Sequence, residues 1–576
     1  MERVVRLRPW QKQALDRFHA HPHPDFLAVA TPGAGKTTFA VVAGLHALRG
    51  GAKRVIVVAP TAHLKTQWAK AAARLGLQLD PQWSASSGRP AGDMHGIVTT
   101  YQQVSTSADA LRGLAADSFV VLDEIHHAGD ERAWGESVLT AFQPAHRRLS
   151  LSGTPFRSDT RAIPFVRYTI EEANADYEYG YGDALRDGGV VRPVYFPRIN
   201  GFMEWVAPDG SLNAASFDDA LDRTRSSQRL RTALSPQSDW LPAVLSQAHE
   251  RLLEIRQKRP DAGGLIIATD QEHARAIADL MRWKLRVNPT IALSDDPNAS
   301  DRIAHFATGD QPWIIAVRMV SEGVDIPRLT VGVYATTTTT ELFFRQAVGR
   351  LVRWSSGLRR QKAYLFIPDD PRLRTWAAQI AESRKHSLRA RSEDAGDALD
   401  GPRPEDATAF DEPVVEPDEQ LSLFEALSAT IADGGHAEHG VFDEDYEDYE
   451  ELGEHEVDGG ADDAGDHAGL APDLLVDLVL LAPPGGPRGG LDGSGLDGSG
   501  VDGTGGTGVL SRFEQKEALR VRNADLAREL VRFTGMTHAQ VNGQLNRTVG
   551  LKRIDEATAE TLRRRAAEAE RWLARL

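Results

Sequence analysis

Ten short, almost wholly apolar runs recur in the first 370 residues, separated by segments long enough for a helix. In the first half they are FLAVA (26–30), RVIVVAP (54–60), GIVTT (96–100), SFVVLD (118–123) and RRLSLSG (147–153). In the second half they are GLIIATD (264–270), TIALSD (290–295), WIIAV (313–317), LTVGVYA (329–335) and KAYLFIP (362–368). Such runs are typical of parallel-sheet strands that are buried on both faces. The pattern predicts an α/β fold with two tandem parallel-sheet domains.

The boundaries of these domains follow from changes in composition. The join between the two halves falls near RDGGVVRP (186–193), and a helical stretch at 240–258 opens the second half. The predicted division is a first domain at 1–190, a second at 191–388, a disordered linker at 389–510 and a small helical module at 511–576.

The predicted linker is strongly acidic, and it ends in a Gly-rich tract. Residues 401–470 contain 23 Asp or Glu and one Arg, which gives this segment a net charge of −22. Because the whole chain has a net charge of −16, the remaining residues together carry +6. The overall acidity is therefore no argument against a polyanionic partner. The tract GLDGSGLDGSGVDGTGGTG (490–508) could suggest calcium-binding repeats, but its few copies favour a flexible tether. Neither segment carries enough apolar surface to offset the entropy of ordering.

The last 66 residues regain helical spacing and predict three helices. Residues 511–576 contain 14 basic and 9 acidic side chains. Two interpretations remain open for this module. It could contact DNA in the manner of a helix-turn-helix, or it could be a docking module for a protein partner.

Composition also excludes several classes of protein. The chain has no Cys, which rules out disulfides, thiol nucleophiles and Cys-ligated metal sites. No apolar stretch approaches the roughly 18 residues that a membrane span needs, and the N-terminus MERVVRLRPW has no apolar signal region. We therefore expect a cytoplasmic location and no membrane partner.

A glycine-rich loop, ATPGAGKTT (30–38), lies between the first predicted strand and an apolar helix. Such a loop directs backbone N–H groups and the positive end of the helix dipole at phosphate groups. Lys36 would reach the β- and γ-phosphates, and Thr37 would bind Mg²⁺. Ala30 replaces the first Gly of the strict pattern. The predicted nucleotide-contacting residues of this loop are Thr31, Gly33, Gly35, Lys36, Thr37 and Thr38.

The stretch VVLDEIHHAGD (120–130) places two carboxylates and two histidines directly after an apolar run. Taken alone it could be a metal site, an acid/base pair or a charged turn. Adjacent histidines point in different directions on any regular element, which argues against zinc. Beside the phosphate loop, Asp123 is expected to bind the Mg²⁺ of a nucleotide, and Glu124 to act as general base on water. His126 would face the γ-phosphate side, while His127 could lie on the surface.

Together these motifs resemble the superfamily 2 helicases and translocases, in the DExH branch. The resemblance covers residues 1 to about 370, with the motifs in family order. It implies two RecA-like domains, with ATP and Mg²⁺ as ligands. It rests on the phosphate loop, DEIH (123–126), RLRPWQKQAL (6–15), APTAHLKTQW (59–68), VTTYQ (98–102), LSGTP (151–155), VSEGVDIP (320–327) and QAVGRLVR (346–353).

In the first half the resemblance assigns three further roles. Gln11, with Arg8 nearby, would recognise adenine. Ser152 and Thr154 would couple hydrolysis to domain movement. The segments APTAHLKTQW and VTTYQ would contact the nucleic-acid backbone.

In the second half the resemblance implies nucleotide contacts from Gly323 and Asp325 and γ-phosphate contacts from Gln346, Arg350 and Arg353. If these arginines come from the second domain, hydrolysis requires the domains to close, and they would stabilise the charge of the transition state. The alternative for GRLVR is a basic helix face.

The motifs look closest to XPB-like repair helicases and to the motor subunits of type III restriction enzymes. The predicted function is therefore an ATP-dependent translocase or helicase on nucleic acid, with DNA favoured over RNA. Two alternatives stay open: a clamp or remodeller that does not move along the strand, and the motor subunit of a restriction or defence complex. No nuclease signature is evident, so cleavage would need a partner.

Overall fold

The computed structural model groups the chain into two compact units. The first comprises Met1–Ala28, Gly35–Glu178 and Asp473–Leu576, and the second comprises Val29–Ala34 and Tyr179–Pro472. The residues described are 3–129, 132–153, 163–169, 172–293, 296, 298–317, 326–355, 358, 361–393, 425–431, 474–478 and 511–576.

The first unit is built on a parallel sheet. Up to residue 179 its strands are β1 Arg3–Leu7, β2 Asp25–Ala30, β3 Val55–Ala59, β4 Leu79–Asp80, β5 Gly96–Thr100, β6 Phe119–Leu122, β7 Arg147–Ser152, β8 Tyr168–Thr169, β9 Glu172–Ala173 and β10 Tyr177–Tyr179. Its helices up to there are α1 Pro9–Ala20, α2 Lys36–Arg49, α3 Ala62–Arg74, α4 Tyr101–Ala115 and α5 Arg132–Phe142. Among the described strands the sheet order is β10-β2-β7-β6-β3-β5-β4.

The position of β3 determines which strand ends meet. It pairs in parallel with β5 on one side and with β6 on the other, and β6 pairs in parallel with β7. The carboxyl ends of these four strands therefore share one edge of the sheet. The segments that follow them carry most of the first-half motifs.

The second unit contains another parallel sheet. Its strands are β11 Val194–Tyr195, β12 Arg198–Ile199, β13 Gly201–Val206, β14 Leu212–Ser216, β15 Gly263–Ala268, β16 Thr290–Ala292, β17 Trp313–Ala316, β18 Leu329–Ala335, β19 Ala363–Pro368 and β20 Glu425–Ile431. Its helices are α6 Tyr181–Asp187, α7 Arg223–Ala233, α8 Trp240–Lys258, α9 Gln271–Leu280, α10 Ala299–Thr308, α11 Glu341–Leu351 and α12 Pro371–Glu393. The sheet order in the described part is β11-β19-β18-β15-β17-β16, and β12 also pairs with β19.

All ten apolar runs form strands in these two parallel sheets, and the predicted α/β fold class is confirmed. Most of these strands are buried along their whole length, for example β3, β5, β6 and β18. Burial on both faces explains why their sequences are almost wholly apolar. The helix predicted at 240–258 is α8, which spans those residues.

Within the range of the predicted linker, 389–510, the structure describes three short stretches with regular structure. Helix α12 continues to Glu393. Strand β20 pairs with β13 in an antiparallel arrangement, and β21 (Leu474–Leu478) pairs with β1. Both strands are short, charge-poor runs that extend the edge of an existing strand, an interaction that acidic composition does not reveal. The other linker residues lie outside the described part of the chain.

The C-terminal module consists of three helices, as predicted: α13 Arg512–Thr534, α14 His538–Thr548 and α15 Ala559–Leu573. A buried guanidinium links them. Arg565 of α15 donates to the Oδ1 atoms of Asn523 on α13 and of Asn542 and Asn546 on α14, at 2.9, 2.6 and 2.8 Å. Because the charge is satisfied by three amide oxygens, it can remain inside the bundle.

The module packs against the loop that precedes β5 of the first unit. Lys516, which is only 1% exposed, lies 3.3 Å from Oδ1 of Asp93. The backbone N–H of Ala559, at the start of α15, donates to Oδ2 of the same carboxylate at 3.0 Å. Phe513 packs with Met94. The Asp93 carboxylate thus accepts hydrogen bonds from both α13 and α15. The module forms part of the first unit. In the described part of the chain, no helix is both long and apolar enough to cross a membrane.

Candidate functional site

The glycine-rich loop leaves β2 and turns directly into α2. Gly33 and Gly35 have φ of +82° and +95°, a region that residues with a Cβ rarely adopt. Gly35 caps α2, and Lys36 is the first residue of this helix. The start of α2 therefore lies directly after the glycine-rich turn, a position where helix amides and the helix dipole favour an anion.

Gln11 and Arg8 both lie beside this loop. The side-chain N–H of Gln11 donates to the carbonyl of Gly35 at 2.9 Å, and its Oε1 accepts from the backbone N–H of Arg8 at 2.8 Å. A Cβ at position 35 would lie 2.7 Å from Nε2 of Gln11 and 3.9 Å from Nη1 of Arg8. The backbone conformation therefore favours glycine here, and a Cβ would also displace the Gln11 amide from its contact with the loop.

Lys36 reaches across to the carboxylate of Glu124, which follows β6. Its Nζ lies 2.9 Å from Oε1, and the backbone N–H of Gly153 donates to Oε2 at 2.9 Å. Glu124 has φ of +46°, a sparsely populated region for a residue with a side chain. Gly153 follows β7, so the ends of β6 and β7 and the start of α2 converge on one carboxylate.

The two carboxylates of the DExH segment have opposite pKa shifts. Burial, together with the nearby charge of Glu124, raises the pKa of Asp123 to about 6. Burial would also raise the pKa of Glu124, but the charges of Lys36 and His126 and the hydrogen bonds from Lys36 and Gly153 lower it to about 2. Lys36 therefore favours the ionised form of Glu124 and neutralises its charge.

Asp123 has two hydrogen-bond partners that the sequence did not suggest. The indole N–H of Trp68, on α3, donates to its Oδ2 at 2.8 Å. The hydroxyl of Tyr101, the first residue of α4, donates to its backbone carbonyl at 2.9 Å. Trp68 is the last residue of APTAHLKTQW and Tyr101 lies in VTTYQ, but neither segment indicates which group its aromatic side chain contacts.

The two histidines after Glu124 are both buried. His126 and His127 retain 8% and 9% of their exposure, and their ring centroids lie 4.6 Å apart. The Nδ1 atom of His126 lies 3.7 Å from Oε2 of Glu124 and 3.4 Å from the hydroxyl of Ser152. A surface position for His127 is therefore wrong. The short 3₁₀ helix Ile125–Gly129 folds both rings back against the protein.

The predicted nucleic-acid segments are tied to each other. Lys65, on α3, is buried and donates to Oε1 of Gln103, on α4, at 2.8 Å. The backbone N–H of Gln103 in turn donates to the hydroxyl of Thr100, which caps α4. The structure thus joins two motifs that the sequence treated as separate contacts.

In the second unit the residues of QAVGRLVR lie on and just after α11. Gln346 and Arg350 are one helical turn apart and half-buried, and Arg353 follows the helix. Within this unit, a Cβ at Gly33 would lie 3.6 Å from Cγ of Arg353. The arrangement brings Arg353 beside a predicted phosphate-loop residue of the same unit. Gly323, Asp325 and Thr154 lie outside the described residues.

The residues predicted to hold Mg²⁺ have suitable chemistry. Thr37 and Thr38 lie in the first turn of α2, half-buried, directly after Lys36. A hydroxyl and a carboxylate oxygen are hard donors of the kind that Mg²⁺ prefers alongside phosphate oxygens. Thr37 and Asp123 therefore fit the ion by donor type. Thr31, at the end of β2, is buried, and its N–H donates to the carbonyl of Tyr179 at 2.9 Å.

Comparisons with known proteins agree with the motifs. Residues 4–157 match the family model described as "Type III restriction enzyme, res subunit". Over 375 residues the chain is 25% identical to the "DNA 3'-5' translocase XPB2" of Sulfurisphaera tokodaii, covering 61% of this chain and 79% of that protein.

Two mycobacterial proteins are more similar, and both are described as uncharacterized. ML1624 of Mycobacterium leprae is 46% identical over 390 residues, which cover 66% of this chain and 65% of that protein. Rv2917 of Mycobacterium tuberculosis is 46% identical over 404 residues, covering 69% and 67%. The chain therefore spans about two thirds of the length of each relative. It belongs to the same family as Rv2917, within the DExH-box branch of superfamily 2.

Proposed function

We propose that this protein is an ATP- and Mg²⁺-dependent translocase or helicase on nucleic acid, with DNA favoured over RNA. The observation that carries the proposal is the contact of Lys36 with Glu124, whose other oxygen accepts from Gly153. A phosphate-binding lysine and a candidate general base meet directly at the edge of the first sheet. This arrangement suits a site that exchanges an internal ion pair for a nucleotide.

ATP would enter with its phosphates at the glycine-rich loop and its base near Gln11 and Arg8. Gly33 and Gly35 give the loop its left-handed turns before α2, and the N–H groups at the start of that helix would bind the phosphates. Gln11 has an amide group that can both donate and accept, as recognition of adenine requires.

Phosphate binding would draw Lys36 away from Glu124. Since Lys36 is the strongest influence that lowers the pKa of Glu124, its departure would let that pKa rise toward the range of a working base. Glu124 would then take a proton from the attacking water. Mg²⁺, held by Thr37 and Asp123, would neutralise charge on the phosphates.

The second unit would supply positive charge at the γ-phosphate through Arg350 and Arg353, with Gln346 beside them. Phosphoryl transfer gains mainly from such charge stabilisation, and arginine fingers contribute on the order of 10³–10⁵ in rate. Gly323 and Asp325 would add nucleotide contacts from the same unit. These roles rest on the resemblance of their motifs.

Measurement of ATP turnover with double-stranded DNA, single-stranded DNA and RNA tests the proposal. The name of the XPB2 relative supports DNA, so we expect the largest stimulation from a DNA substrate. Lys36→Ala protein is the control, since residual turnover in it reports a contaminating ATPase. A purified protein that hydrolyses no ATP with any of the three would contradict the proposal.

A second candidate is the motor subunit of a restriction or defence complex, which the name of the matching family model supports. Co-purification of a nuclease with the tagged chain would favour it. A third candidate, a clamp that does not translocate, is separated by a displacement assay over increasing DNA lengths. A translocase gives a lag that grows with length, whereas a clamp gives none.

A further inference from the structure

Asp123 is held from two sides by aromatic residues of the first unit. Trp68 retains 3% of its exposure and Tyr101 none. The Trp68 indole donates to the carboxylate oxygen Oδ2 at 2.8 Å, and the Tyr101 hydroxyl donates to the backbone carbonyl at 2.9 Å. One partner orients the side chain of Asp123, while the other fixes its main chain.

Sheet order explains why these residues meet. Strand β3 lies between β6 and β5, and the N–H of Asp123 donates to the carbonyl of Val58 on β3 at 2.9 Å. Helix α3 begins three residues after β3 ends, and α4 begins directly after β5. The N-terminal halves of both helices, with Trp68 in the second turn of α3 and Tyr101 at the start of α4, therefore lie beside the end of β6.

The two helices form a braced pair. Lys65, one turn before Trp68, donates to Gln103, which lies two residues after Tyr101. The Tyr101 ring also stacks on Trp134 of α5, with centroids 6.5 Å apart and planes 7° from parallel. A shift of α3 or α4 would therefore move the two hydrogen-bond donors of Asp123, because Trp68 and Tyr101 are packed against their neighbours.

The chemistry of the two bonds suits an orienting role. An indole N–H can only donate, so it binds one carboxylate oxygen and leaves the other available. A partly buried hydrogen bond to an ionised group is among the stronger kinds, and it restricts rotation of the carboxylate. Residues that orient a metal ligand in this way commonly contribute about 10–100-fold to metal affinity.

We propose that Trp68 is a positioning residue that orients Asp123 for Mg²⁺, with Tyr101 fixing the backbone. The inference rests on the proposed function, since it assumes that Asp123 binds the Mg²⁺ of ATP. It also provides a route for regulation, because α3 and α4 carry the segments proposed to contact nucleic acid. Nucleic acid that shifts this helix pair would change the orientation of Asp123.

The test measures binding of a fluorescent ATP analogue as a function of Mg²⁺ concentration. The full-length protein carries Glu124→Gln in every sample, so that hydrolysis does not contribute. Trp68→Phe keeps an aromatic side chain but removes the N–H donor together with part of the volume of the indole. We expect about a tenfold rise in the Mg²⁺ concentration that gives half-maximal binding, with binding in the absence of Mg²⁺ unchanged. Tyr101→Phe should give a smaller rise, because it retains the stack on Trp134.

Trp83→Phe is the matched control. Trp83 is also buried in the first unit, and its indole N–H donates to the carbonyl of Gly88 at 2.8 Å, outside the set of contacts to Asp123. It should leave the Mg²⁺ midpoint at the value of the Glu124→Gln protein. If Trp68→Phe and Trp83→Phe change the midpoint equally, Trp68 has only a structural role and the inference is overturned.

Two further outcomes keep the inference separate from the proposed function. If the Glu124→Gln protein shows no Mg²⁺-dependent nucleotide binding, the nucleotide site itself has failed. If it binds normally and nucleic acid lowers its Mg²⁺ midpoint, the same shift should be lost in Trp68→Phe. A shift that persists in Trp68→Phe would overturn the regulatory part.

Should Trp68→Phe fail to fold, Tyr101→Phe carries the test alone, and an unchanged midpoint there overturns the inference.

Discussion

The ammonium group of Lys36 lies 2.9 Å from Oε1 of Glu124, while the N–H of Gly153 binds the other oxygen. Two segments that are far from Glu124 in the chain thus bind its carboxylate. The charges of Lys36 and Glu124 neutralise each other in this pair. Under the proposed function a nucleotide would replace this pair, which makes the two residues the most direct test of the site.

Lys36→Ala should abolish ATP turnover, because the variant lacks the positive charge that would bind the phosphates. Glu124→Gln should retain ATP binding and slow hydrolysis by on the order of 10²–10⁴, the range attributed to general-base catalysis. Steady-state turnover and nucleotide titration measure the two effects. Lys53→Ala is the control, since Lys53 pairs with Asp117 at an exposed position. Near-normal turnover in either site variant would refute the assignment.

Arg350→Ala and Arg353→Ala should lower turnover while changing nucleotide affinity far less, because an arginine finger acts mainly in the transition state. Comparison of turnover with the dissociation constant for ATP separates the two effects. Arg345→Ala on the same helix is the matched control, as this arginine already pairs with Glu341. An equal loss of binding and turnover would make the two arginines ground-state ligands.

The raised pKa of Asp123 predicts a pH-dependent stability in Mg²⁺-free buffer. A carboxyl with a folded-state pKa of about 6 favours the folded state fully only below its ordinary pKa of 3.8, and this contribution is lost as the pH rises through 6. Asp123→Asn should therefore gain stability over the parent between pH 4 and pH 7, by about 1–3 kcal/mol. Urea unfolding at several pH values measures the difference.

Glu124→Gln should behave in the opposite way in the same experiment. The pKa of Glu124 is lowered to about 2, so its contribution is present above its ordinary pKa of 4.5 and is lost as the pH falls through 2. The variant should be less stable than the parent at pH 7, with a deficit that shrinks in acid. If both variants show the same pH trend, the two carboxyls do not have opposite pKa shifts.

Lys516→Met should loosen the C-terminal module from the first unit, because it leaves Asp93 buried without its cation. Breaking one side of a buried ion pair typically costs about 3–5 kcal/mol. Hydrogen exchange of α13 and α15 and urea unfolding would detect the loss. Arg522→Met, which removes an exposed partner of Glu570, should cost less than about 1 kcal/mol. The double variant Lys516→Met/Asp93→Asn should recover part of the loss, and no recovery would argue against the pair.

The acidic segment is expected to compete with nucleic acid for basic surfaces of the protein. A tethered polyanion can reach an effective concentration on the order of millimolar. Its binding to Lys and Arg would weaken with salt, as the binding of nucleic-acid phosphates does. Replacement of 401–424 and 432–470 by a neutral linker of equal length keeps β20 intact. We expect tighter nucleic-acid binding and higher basal turnover at low salt, with the difference vanishing as salt increases.

Titrations across the salt range decide this point. A variant that binds like the parent at every salt concentration would reduce the segment to a solubilising spacer. A scrambled segment with unchanged composition is the matched control, since competition through charge should survive scrambling.

The amino-acid sequence by itself determined the two parallel sheets and identified the segments of the candidate nucleotide site. Buried parallel strands are continuous apolar runs, so each of them is visible locally. The phosphate loop and the DExH segment are likewise made of consecutive residues, because a helix N-terminus and a strand end are local structures. Lys36, Asp123 and Glu124 could be assigned roles for this reason.

Only the tertiary structure revealed the partners of these residues. Trp68 reaches Asp123 because β3 lies beside β6, and strand order is not encoded in either segment alone. Lys516 and Asp93 are 423 residues apart and form a buried pair. From the sequence alone, each would be predicted to be an ordinary charged residue on the surface. Composition cannot predict such pairs, because the stability of a buried polar contact depends on the partner that the fold brings to it.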